Sequence, residues 1–188
     1  MLPLLATWVG TVLAYYYSSE SIEAATRSVR DLLTTEEKLK AIPVADVMIR
    51  FREMVYFTYR DDLKVQDLLD KLMASGKGYR LPFLGDKGQP VYILHKSAVD
   101  DVLVERAKAG DDVTKLTLKV LFEKVSGLKE LAQGSFGVIA EDATLADAQT
   151  EMRRIKDCQD IFVTDNGRKD GAVLGWVTNI IIEQNSRV

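Results

Sequence analysis

The pattern of apolar and polar positions divides the chain into three stretches. Met1 to Tyr17, MLPLLATWVGTVLAYYY, carries no charge, and the first charged side chain is Glu20. Apolar residues fall all around its helical wheel, which predicts a helix of about 25 Å with no polar face, at the short end of what crosses a bilayer core. Tyr15, Tyr16 and Tyr17 cluster as residues of a membrane–water boundary do. Ala6, Gly10 and Ala14 repeat at four-residue spacing, a small-residue stripe along which two membrane helices can pack. The run also fits a helix buried in an oligomer core or laid on the folded part. A signal peptide fits less well, because three tyrosines and a serine pair stand where a cleavage site would lie.

Residues 18–41 read as a connector helix. Ile22, Ala25, Val29, Leu32 and Leu39 recur at three- and four-residue steps, with Glu36 interrupting the seam. Such a stripe serves either a short parallel coiled coil continuing from the anchor or a helix docked on its own domain. Pro43 ends it by pushing Ile42 to an extended conformation.

Beyond that point the pattern alternates strands with amphipathic helices, twice. The first copy predicts a strand at Met54–Thr58, a helix from about Leu63, strands at Arg80–Leu84 and Val91–Leu94 around the polar turn GDKGQ, and a helix from Ser97 to about Arg106. The second predicts a strand at Phe136–Ala140, a helix from Thr144, strands at Asp160–Thr164 and Val173–Val177 around DNGRKDG, and a helix from Asn179. Val65 and Asp67 recur as Leu145 and Asp147, 80 positions on; the last strands align at 83, because the second turn is longer. The stretch between the copies, Ala107 to Gln133, predicts one or two lead-in helices, equivalent to Val44–Met48 of the first copy. Hairpin-like pairing across Gly-rich turns and helices between strands define α/β units.

Composition narrows the function. With 47% hydrophobic and 28% charged residues and a net charge of −3, the 188-residue chain is globular and lacks the basic excess of a nucleic-acid binder. One cysteine, Cys158, and one histidine, His95, exclude an internal disulfide and a Cys/His zinc site, and leave Cys158–His95 as the sole Cys/His pairing for nucleophilic catalysis. Arg27, Arg30, Lys38 and Lys40, all downstream of the uncharged run, favour a cytoplasmic side for the rest of the chain, where a free thiol also fits.

The duplicated β-α-β-β-α order resembles the CBS (cystathionine β-synthase) domain pair, or Bateman module. IPVADVM at Ile42–Met48 resembles the lead-in to a first repeat, and YRLPFLGDKGQPVYILHKS its second and third strands. ATLADAQTEM and VLGWVTN resemble the first helix and last strand of a second repeat. The resemblance runs from Ile42 to Glu183. It implies an α/β (α+β) fold in which two repeats, 42–108 and 109–188, form one pseudo-two-fold module behind a hydrophobic anchor helix (1–17) and the connector (18–41). It further implies two clefts between the repeats that often hold adenine nucleotides, a disc-like homodimer, regulation of an attached protein partner, and no catalysis and no required cofactor or metal. The expected function is a membrane-tethered, cytoplasm-facing sensor of a small ligand such as an adenine nucleotide; the alternative is a dimerisation scaffold with unoccupied clefts.

The cleft residues follow from the junction of last strand and last helix, where a strand end and helix N–H groups converge. Thr178 and Asn179 stand there in the second copy, His95 and Lys96 in the first. Each has a structural reading too: Thr178 or Asn179 as a helix cap, and Ser97 with Asp100 as a capping pair. Thr58 and Tyr59 precede the first helix, Arg80 could reach a phosphate, and Phe136 and Gly137 could wall an apolar slot. One departure stands out. The aspartate that holds the ribose in nucleotide-binding repeats, three residues after the hydroxyl residue, is replaced by Ala98 and Ile181. Losing that charge-assisted bond costs about 1.5–3 kcal/mol.

Overall fold

The computed structural model describes residues 34–76 and 79–187. The expected hydrophobic helix with its Ala6, Gly10 and Ala14 stripe, and the expected connector before Thr34, lie outside the described residues. The chain enters at α1 (Thr35–Lys40), fixed by a capping box in which Thr34 Oγ1 accepts from the Glu37 backbone N–H and the Glu37 carboxylate accepts from that of Thr34. Pro43 then sets an extended bend before α2 (Val44–Val47), and β1 (Ile49–Arg50) comes next.

These lead-in elements do not serve the half they precede. Leu39 and Val44 are fully buried among Leu145, Ile161, Val177 and Ile182 of the second half. The strand β1 pairs antiparallel with β7 (Val173–Thr178), Ile49 opposite Trp176. That approach needs Gly175, where a Cβ would stand 3.0 Å from the Ile49 carbonyl oxygen and against the Met48 sulfur. A 3-10 turn (Phe51–Glu53) then carries the chain across to β2 (Phe57–Thr58). The strand expected at Met54–Thr58 is therefore only two residues long. Its first part is used for the crossing, and Met54 is buried between the halves instead of pairing.

The first half comprises β2, α3 (Val65–Ser75), β3 (Arg80–Leu84), β4 (Pro90–His95) and α4 (Lys96–Lys108), with sheet order β2-β3-β4. Its core is completed by two helices preceding the second half, α5 (Leu118–Lys124) and α6 (Leu128–Gly134), through Leu118, Leu121, Phe122, Leu128 and Ala132. The second half comprises β5 (Phe136–Ala140), α7 (Leu145–Arg154), β6 (Asp160–Thr164), β7 and α8 (Asn179–Ser186), with sheet order β1-β7-β6-β5. In both sheets the strand before the first helix is parallel to the middle strand, which is antiparallel to the last.

The exchange is reciprocal at the level of single bonds. The Val44 N–H donates to Ala143 O and Leu145 N–H to Ile42 O, both at 2.9 Å; the Val65 N–H donates to Leu116 O at 2.9 Å and Leu118 N–H to Leu63 O at 2.8 Å. The two halves meet face to face across a third cluster, in which Phe136 packs edge-on against Phe162 and Phe162 lies alongside Trp176. The result is a mixed α+β fold with internal pseudo-two-fold symmetry. Among the described residues, no helix is long and apolar enough to cross a membrane.

Candidate functional site

Arg80 and Asp160 open the middle strands of the two halves, 80 positions apart, and the pseudo-two-fold brings these equivalent positions together. Arg80 Nε lies 2.7 Å from Asp160 Oδ1 and 2.9 Å from Oδ2, with the Asp160 side chain fully buried. A like pair of charges at such a symmetric contact would repel, so the two copies have had to differ here. The Asp160 carboxylate also accepts from Trp176 Nε1 at 3.0 Å, and His95 Nε2 lies 3.3 Å away. Arg80 Nη2 donates to Asn179 Oδ1 at 2.9 Å and to Gln159 Oε1 at 3.2 Å. Three of the residues marked in the sequence, Arg80, His95 and Asn179, thus join one network on the seam.

Beside the network is a cleft of about 570 Å³. One wall is the crossing segment, with Val47, Met48, Ile49, Glu53, Met54 and Val55; the other comes from β7 and α8, with Trp176, Thr178, Ile180 and Ile181, and Arg80 and Tyr79 close it. Its size falls within the range of small-molecule sites, and its mostly apolar walls with a few polar groups have their usual character. Thr178 caps α8, its Oγ1 accepting from the Ile181 N–H at 3.4 Å, which leaves its own O–H to donate. The pseudo-symmetric cleft is smaller, about 180 Å³, and lined by Ile93, Leu94, His95 and Ala98. There α6 stands where the first half's lead-in has β1 and a 3-10 turn, and Leu128, Leu131 and Ala132 fill the space.

The remaining marked residues lie elsewhere. Lys96 bonds Asp100 on its own helix, which has no side-chain cap; Ser97 and Asp100 do not form the expected capping pair. Thr58 ends β2 and Tyr59 follows it, both beside Leu84, about 13 Å of strand away from Arg80. Tyr59 OH donates to Asp61, its ring packs on Tyr92, and burial with that bond raises its phenol above the ordinary value. Phe136 is buried in the seam and lines neither of the two clefts. Gly137 serves packing, since a Cβ there would meet Ile161 Cδ1 at 2.6 Å and Glu151 Cγ at 2.8 Å. The Cys158 thiol donates to the Asp160 carbonyl oxygen, and its burial raises its pKa, while His95 faces the Asp160 carboxylate; the two do not pair. Asp160, Trp176 and Glu53 are site residues that the sequence does not mark, although the 80-residue offset from Arg80 points to Asp160.

This architecture is the CBS-pair fold. No family model and no curated protein matches the chain. Among solved structures, the CBS domain of a bacterial CNNM/CorC family Mg2+ transporter is similar at 19% identity and a TM-score of 0.55, over 90% of this chain and 94% of that one. The same transporter domain in complex with ATP gives 18% and 0.57 over 81% and 92%. CBSX2 in complex with AMP gives 18% and 0.52 over 78% and 96%.

Proposed function

We propose that the chain is a regulatory module that binds one small ligand in the larger cleft, without catalysis, and passes its occupancy to a partner protein. An adenine nucleotide or nucleoside is the candidate ligand. The observation that carries this reading is the inequality of the two equivalent clefts. The larger has room for a ligand and is edged by Arg80, Thr178 and Trp176, whereas the smaller falls below the roughly 300 Å³ at which small-molecule sites begin. The complexes of similar folds with ATP and AMP support the ligand class. Residues 1–17 tether the module to a membrane with the folded part on the cytoplasmic side, and two copies form a homodimer. The repeats divide between residues 108 and 109.

Ile181 and Ala98, standing where a ribose-binding aspartate is expected, favour a second reading: a dimerisation scaffold whose clefts stay empty. Thermal unfolding of the full chain with adenosine, AMP, ADP, ATP and S-adenosylmethionine separates the two. A ligand at 100 times its Kd adds about 2.7 kcal/mol of stability. No stabilisation by any of them at millimolar concentration would leave only the scaffold. Cell fractionation tests the tether: the full chain partitions with membranes, and recovery as a soluble monomer without detergent would overturn both tether and dimer.

A further inference from the structure

The charges at the larger cleft are already spent on one another. Arg80 is held by the buried Asp160 carboxylate, and its Nη2 is shared between Asn179 and Gln159. The other charged wall residue, Glu53, has Arg52 Nε 3.5 Å from its carboxylate. Among the described residues the site therefore sums to no net charge. The rest of its surface is largely apolar, with Ile49, Met54, Trp176 and Ile181 able to cover a planar body, and the Thr178 hydroxyl as a polar contact. A polyphosphate entering such a site would lose hydration on several negative charges and, among the described residues, meet no surplus of positive charge.

We propose that this cleft selects a ligand with a planar apolar body and at most one negative charge or a single phosphate, and discriminates against nucleoside polyphosphates. The inference rests on the cleft being a nucleoside-type site, as proposed above. Each phosphate added beyond the first contributes charge that the Arg80–Asp160 and Arg52–Glu53 pairs do not neutralise. Discrimination therefore grows from AMP to ATP and shrinks as salt screens the charges.

The test is isothermal titration of the full chain with adenosine, AMP, ADP and ATP, without divalent cations, at low and high salt. The expected result is binding of adenosine or AMP, with ATP about tenfold weaker or more. Glu53→Gln should narrow the gap several-fold, because it removes a negative wall charge and leaves Arg52 unmatched. ATP binding as tightly as AMP would overturn the inference and leave the nucleoside site standing. A gap that Glu53→Gln leaves unchanged would equally overturn it, by showing that charge does not set the order. If none of the four binds, the nucleoside-site reading fails, and the inference with it.

Discussion

Asp160 is the residue on which the two halves turn. A fully buried carboxylate is tolerated only if paired and hydrogen-bonded, and here Arg80 and Trp176 supply both requirements from different halves, with His95 close by. Removing one partner of such a pair strands the other. Arg80→Ala should therefore lower stability by about 3–5 kcal/mol in urea unfolding, whereas the paired replacement Arg80→Met with Asp160→Leu should recover only part of the loss, because Trp176 Nε1 then lacks its acceptor. A loss below about 1 kcal/mol for the single change would show that the pair does not hold the seam. Arg80 also lines the larger cleft, so one side chain touches both that cleft and the seam.

At the scale of elements, periodicity locates nearly every strand and helix of the described residues. The segments Arg80–Leu84, Phe136–Ala140 and Asp160–Thr164 are strands with the expected ends, because β-branched and aromatic runs bounded by turns have no competing pattern. Met54–Thr58 departs from its pattern for a tertiary reason. Its residues look like a strand, but β1 has already engaged β7, and the chain must cross between halves before pairing again. The same exchange makes the site hard to read locally. The walls of the larger cleft come from the lead-in of the first copy and the last strand of the second, more than 120 positions apart. Thr178, Asn179, His95 and Arg80 are legible from the repeat, since each stands at a strand end that the symmetry duplicates. Trp176 and Glu53 are not, because a strand tryptophan reads as core and a charge in a turn reads as solvated surface. The filling of the smaller cleft is also hidden: Leu128 and Leu131 carry an ordinary core stripe, and which space they fill depends on where α6 docks.

For the whole molecule, the internal repeat places two equivalent clefts, of which one is the larger. The halves share a fold and reciprocal lead-in bonds, yet a 3-10 turn lines one cleft and a helix fills the other. The proposed function requires that one ligand binds per chain, in the cleft walled by Ile181. Isothermal titration with AMP tests it most directly, comparing the unaltered chain with Ile181→Trp and with Ala98→Trp, the equivalent change in the smaller cleft. The expected result is one site per chain, abolished by Ile181→Trp and retained with Ala98→Trp. Two sites per chain, or loss of binding only with Ala98→Trp, would contradict it.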